Sequence, residues 1–159
     1  MTTLTLLSVG TLKEPYLRDG CAEYAKRLSA YVRFESVSVK ESRVVNEDNP
    51  AEIKAALAAE AQAILANIPK DAFVVSLCVE GKQMNSLALA KALGEAKDRS
   101  GKIVCIIGSS HGLCDSVKAA SHLRLSMSAL TFPHQLAQVM LLEALYRSFT
   151  ILAGKKYHK

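Results

Sequence analysis

The sequence contains no CxxC pair and no HExxH motif of the kind that holds zinc. Its four histidines, His111, His122, His134 and His158, stand apart, so a metal centre is excluded on spacing. No Cys-His nucleophile signature occurs, which leaves hydrolysis through a cysteine-bound covalent intermediate without support. A Walker A loop and a complete GxGxxG fingerprint are missing too. The four cysteines, Cys21, Cys78, Cys105 and Cys114, form no framework, and two lie inside the apolar runs VVSLCV and IVCIIG. They read as buried, reduced thiols of a cytoplasmic protein. There is no repeat, low-complexity tract or linker. The opening MTTLTLLSVG lacks a basic leader and a cleavage site and reads as a first strand. The longest apolar stretch, residues 135–154, carries Gln135, Gln138, Glu143 and Arg147. Those groups are costly in lipid, so the stretch reads as a mostly buried helix and no membrane is implied.

What is present is a chain of 159 residues, half of them apolar, enough for one substantial core and one domain over residues 1–159. Lysine and arginine exceed acidic residues by 20 to 15, a modest excess that suits either a polyanion such as RNA or a merely soluble basic surface.

Five runs have the β-branched or continuous apolar character of buried parallel strands: LTLLSVG, FESVSV, AFVVSLCV, KIVCIIG and LRLSMS. Helical patterns separate them. Leu17, Cys21, Tyr24, Leu28 and Tyr31 recur at steps of three and four behind Pro15, and the alanine-rich segment after Asn49 and Pro50 ends before Pro69. SLALAKALGEAKDR forms a third helix after the turn EGKQMN, GSSHGLCDSVKAA a loop and short helix, and residues 135–154 the last helix. This alternation predicts an α/β domain: a mostly parallel sheet of five or six strands with helices on both faces.

In such sheets ligands sit beyond the carboxyl ends of strands, which selects the loops CVEGKQ, GSSHGL and SALTFPHQ. Gly108 and Gly112 bracket the second, where small side chains either let a ligand approach the backbone or simply make a tight turn. In the third, backbone groups between Ser126 and Phe132 cannot all join a ladder if Pro133 begins a helix, so some are free for a ligand. Leu130 and Phe132 are either walls of a slot for a flat ring or plugs of the core. Glu143 and Arg147 lie four apart on the last helix, placed for an intrahelical pair or for a partner subunit. The terminal KKYHK is either a frayed tail or a basic, aromatic clamp for a nucleotide.

With these residues located, the chain resembles the ribosomal RNA large subunit methyltransferase H family of the SPOUT, or α/β-knot, methyltransferases. The likeness spans the whole length and is carried by LLSVGTLKEPY, EYAKRL, Leu77 with EGK, IIGSSHGL, LSMSALTFPHQ, LYRSF and the terminal YHK. It implies a homodimeric cytoplasmic enzyme, knotted as a trefoil in its C-terminal third, that methylates N3 of a pseudouridine in 23S rRNA with S-adenosylmethionine. It implies that Leu77, Gly108, Met127, Ser128, Ala129, Leu130, Thr131 and Phe132 hold the cofactor. It implies that the Tyr157-His158 tail closes the site from the partner subunit, with His158 or Tyr157 near the departing proton and Arg147 positioning phosphate. Ser109, Gln138 and Ala144 stand where the family pattern has glycine, arginine and glutamine. Those departures motivate an alternative, a noncatalytic RNA- or ribosome-binding protein on the same fold. A phosphate-nucleotide enzyme using the glycine loop is a third reading.

Overall fold

Every strand runs parallel to its neighbours. In a computed structural model that describes all residues 1–159, β1 (Thr3–Val9), β2 (Arg33–Val39), β3 (Phe73–Gln83), β4 (Lys102–Ile107) and β5 (Leu123–Ser126) form one sheet, in the order β2-β1-β4-β3-β5. This is the expected α/β sheet, with five strands. The helices are α1 (Pro15–Leu28), α2 (Pro50–Ala66), α3 (Ser86–Ser100), α4 (Asp115–Ala119) and α5 (His134–Leu152).

The period-two alternation of each central strand sends its side chains to two separate cores. Leu4 and Leu6 of β1 and Ile103, Cys105 and Ile107 of β4 pack with α1, α3 and α5 through Leu28, Leu93, Leu141 and Phe149. Leu7 and Val9, with Val104 and Ile106, face α2 and α4 through Ile64 and Val117. Helix ends follow local chemistry. Asn49 accepts from the N–H groups of Ala51 and Glu52 at 3.1 and 3.3 Å, ahead of a first-turn proline, and Asn85 accepts from Ala88 N–H at 2.8 Å. Gly101, with φ of 72°, ends α3 in the left-handed conformation.

The sheet departs from the sequence expectation in one place that matters for the site. The stretch read as a turn after Val79 belongs partly to β3: Leu77 and Lys82 both pair with Leu125, so residues 78–81 leave the ladder as a bulge and Lys82 and Gln83 rejoin it. Gly81 is required there, because a Cβ on it would lie 2.7 Å from the Arg124 carbonyl oxygen. At the other end of this contact β5 is shorter than expected and stops at Ser126, which releases Met127 into the loop that follows. Pro133 caps α5 and His134 is its first residue.

Candidate active site

The carboxyl ends of β3, β4 and β5 open into one cavity of about 730 Å³, within the roughly 300–1,000 Å³ typical of small-molecule sites. The three loops selected above meet there: the β3 bulge, the Gly108–Gly112 loop and the loop from Met127 to Pro133. Leu77, Ile107, Leu113, Met127, Leu130 and Phe132 give the cavity its apolar wall. Leu130 is 70% exposed, so it is no core plug.

Two features make the backbone itself a binding surface. The chain folds back tightly after β4: Ser109 and Gly112 form a bridge, Gly112 N–H donates to the Ser109 carbonyl at 2.9 Å, and His111 N–H donates to Ser109 Oγ at 3.3 Å. A Cβ on Gly108 would sit 2.2 Å from the Gly112 carbonyl oxygen, so only glycine permits this approach. After β5 the chain stays out of any ladder. Ser128 Oγ accepts from Leu130 N–H at 3.0 Å and Ser126 Oγ donates to the Ser128 carbonyl at 3.1 Å, while the N–H groups of Ser128, Ala129, Thr131 and Phe132 donate to no other group of the chain. Such donors pair with water or with a ligand.

Charge in the cavity wall is concentrated in one pair. Lys118 of α4 hydrogen-bonds Glu80 of the β3 bulge, which holds the Glu80 carboxyl below the usual carboxylate range and raises the Lys118 ammonium. Behind the glycine loop His111 Nε2 lies 2.8 Å from Glu47, and Glu60 of α2 is buried at 3% exposure. No group of three or more His, Cys, Asp or Glu side chains is arranged to hold a metal ion, and no helix is long and apolar enough to cross a membrane.

The tail forms a second cluster, on α5. Glu143 Oε1 accepts from Arg147 Nε and Nη2 at 3.0 and 2.6 Å and from the Tyr157 hydroxyl at 3.2 Å, while Arg147 Nη1 lies 3.2 Å from His158 Nδ1. The guanidinium also stacks over the Tyr157 ring at 4.8 Å, and Tyr146 meets that ring edge-on at 4.7 Å. The Glu143–Arg147 pair is therefore intrahelical within the chain. Burial, with Tyr24 and Glu143 adjacent, pushes the Tyr157 phenol up to about 12, so it is a hydrogen-bond donor at neutral pH. Since α5 begins at the cavity and rises about 1.5 Å per residue, this cluster lies roughly 14–20 Å farther along the helix than His134. One chain does not bring its own tail to its own cavity.

Comparison with known proteins agrees over nearly the full length. The family model described as "Predicted SPOUT methyltransferase" matches residues 2–158. A ribosomal RNA large subunit methyltransferase H from Streptococcus thermophilus is 44% identical over 155 residues, covering 97% of this chain and 98% of the relative. A protein named putative ribosomal RNA large subunit methyltransferase H, from Methanococcus maripaludis, is 42% identical over 158 residues, covering 98% and 99%. The chain belongs to the ribosomal RNA large subunit methyltransferase H family of SPOUT methyltransferases. Among solved structures, a probable methylase family protein of Haemophilus influenzae shares the fold with a TM-score of 0.54 at 16% identity, over 99% of this chain and 70% of that one. The SpoU methyltransferase AviRb of Streptomyces viridochromogenes, solved in complex with AdoMet, does so at 0.50 and 14%, over 98% and 60%.

Of the residues that the methyltransferase H resemblance points to for the cofactor, Leu77, Gly108, Met127, Ser128, Leu130, Thr131 and Phe132 all line the cavity, whereas Ala129 belongs to the same loop without lining it. Tyr157, His158 and Arg147 converge with one another but stand away from the cavity. Sequence reasoning missed Glu80 and Lys118 as site residues, although both stood in segments it had marked. A single lysine on a five-residue helix carries no signal until the β3 bulge brings a carboxylate to it.

Proposed function

We propose that this methyltransferase transfers a methyl group from S-adenosylmethionine to N3 of a pseudouridine in 23S rRNA, acting in the cytoplasm as a homodimer on the large subunit or the assembled ribosome. The observation that carries the reading is the cavity itself: three loops at the carboxyl ends of adjacent strands, one of them a run of N–H donors without partners in the chain. The residues fit the group. Gly108 permits the tight turn to Gly112 that bounds the cavity, because a Cβ on it would meet the Gly112 carbonyl, and the wall is mainly apolar, as a flat base requires. Leu77, Met127, Leu130 and Phe132 would wall the base, the turn that Gly108 permits would bound it, and the backbone of Ser128, Ala129 and Thr131 would supply the polar edge. The bound cofactor supplies an activated methyl group on a sulfonium.

The chain's task is then to orient a ring nitrogen toward that methyl and to take away the imide proton. His158 of the partner subunit is the group for the proton, delivered with its tail across the dimer interface; Arg147 and the tail lysines position phosphate. Tyr157, neutral and hydrogen-bonded to Glu143, orients the tail and is not the base. A homodimer is what reconciles a complete cavity at one end of α5 with a complete tail cluster at the other. The trefoil knot of the C-terminal third is part of the same reading.

Incubating the protein with ribosomes and methyl-labelled S-adenosylmethionine tests this. Label is expected at N3 of one pseudouridine of 23S rRNA, and not in ribosomes whose target uridine was never isomerised. Ribosome binding without label would support the noncatalytic reading instead.

A further inference from the structure

We propose that Lys118 and Glu80 form the subsite for the zwitterionic amino-acid end of the methyl donor; this rests on the function proposed above. Among the side chains lining the cavity Lys118 is the only lysine or arginine and Glu80 the only carboxylate. They arrive from separate elements, α4 and the β3 bulge, and meet at the cavity. Lys118 is firmly placed. Its side chain is 20% exposed, and its carbonyl accepts from Arg124 Nε at 3.0 Å, which anchors the end of the short helix.

The donor has two unlike ends. A nucleoside end suits an apolar wall and backbone donors. An amino-acid end carries a carboxylate and an ammonium, and burying either without a counter-charge is expensive. Lys118 offers the ammonium for the carboxylate, and Glu80 the carboxylate for the ammonium. In the free protein the two neutralise one another, so neither charge is stranded; on binding each exchanges its partner for the opposite group of the ligand. Arg124 adds a second positive charge beside Glu80, leaving the trio of Lys118, Arg124 and Glu80 at a net +1, which weights the subsite toward the carboxylate. Lys118 should therefore matter more than Glu80.

Two ligands separate this subsite from the rest of the cavity. S-adenosylhomocysteine has the amino-acid end, and 5′-methylthioadenosine is the same nucleoside thioether without it. By calorimetry, Lys118→Met is expected to weaken S-adenosylhomocysteine about tenfold or more, the size of a lost charge-assisted hydrogen bond, and to leave 5′-methylthioadenosine unchanged. Glu80→Gln is expected to act in the same direction by a smaller factor, and Lys118→Arg to recover part of the loss. Wild-type affinity for S-adenosylhomocysteine in Lys118→Met, or an equal loss for both ligands, would overturn the subsite while leaving the methyl-donor reading standing. Wild-type protein that binds neither ligand would overturn that reading, and the subsite with it.

Discussion

The carbonyl oxygen of Gly112 occupies the space in which a side chain on Gly108 would begin, 2.2 Å from the position of its Cβ. The obstruction is backbone, so no rotamer change relieves it, and Gly108→Ala must open the loop that the cavity is built on. The cost of such overpacking is about 1–3 kcal/mol. Gly108→Ala is expected to weaken S-adenosylhomocysteine by roughly ten- to a hundredfold, with a lower melting temperature; calorimetry and thermal melts read both. Unchanged affinity would mean that the loop does not hold the cofactor.

Glu60 gives the fold a pH dependence of unusual sign for a carboxylate. Its Oε2 accepts from Ser42 N–H at 2.9 Å, and its Oε1 is buried without a hydrogen-bond partner. Burial raises its pKa above the usual range, opposed by the Ser42 N–H, aided by the Glu41 charge, and opposed again by the Ser109 hydroxyl and His111. A carboxyl whose folded pKa exceeds its unfolded one takes up a proton on folding. Its contribution is therefore fully present below the unfolded value and is lost as pH rises through the folded one. Glu60→Gln removes the buried charge and is expected to stabilise the protein at neutral pH by about 1 kcal/mol, a few degrees in Tm. The gain should disappear in melts below about pH 4, where both forms are neutral. A loss of stability at neutral pH would instead mean that the ionised carboxylate is a needed acceptor.

The contrast between β4 and β3 explains what was legible in the chain. KIVCII is, after Lys102, a short, continuous apolar run that ends before Gly108, and it is the strand it looks like, because burial on both faces writes itself into each residue from Ile103 to Ile107. In β3 the strand resumes at Lys82 and Gln83, polar residues after an exposed Val79, because β5 offers them a ladder. That pairing is non-local, and local pattern says turn. The cavity loops were legible for a related reason: glycine, serine and proline after a strand mark backbone that cannot stay in the sheet. Lys118 was not, since its meaning comes from Glu80 thirty-eight residues earlier in the chain. The separation of the tail from the cavity was also invisible, because it is a matter of where α5 points.

Tyr157 and His158 are adjacent but are expected to behave differently. The phenol, pushed up to about 12, stays protonated through the range in which the enzyme works, and its hydroxyl serves Glu143. Tyr157→Phe should therefore lower the rate by a modest factor, several-fold for one neutral or charge-assisted hydrogen bond, and leave the pH–rate profile between pH 6 and 9 unmoved. A profile that loses its alkaline limb in Tyr157→Phe would return the phenol to the position of base.

The geometry of α5 makes the strongest demand. If each working site takes its cavity from one subunit and its tail from the other, two different defects are complementary. Gly108→Ala spoils the cavity and spares the tail; His158→Ala spares the cavity and spoils the tail. Each homodimer is expected to be nearly inactive in methyl transfer to ribosomes, yet His158→Ala should bind S-adenosylhomocysteine as the wild type does. Unfolding and refolding the two variants together in equal amounts yields heterodimers in half of the molecules, each with one site whose cavity and tail are both intact. Activity should then return to about a quarter of the wild-type value, the figure that random pairing of a two-fold dimer dictates. A mixture no more active than its components would place tail and cavity of a working site on the same chain, and would require the last turn of α5 and the tail to move by more than a helix turn toward their own cavity.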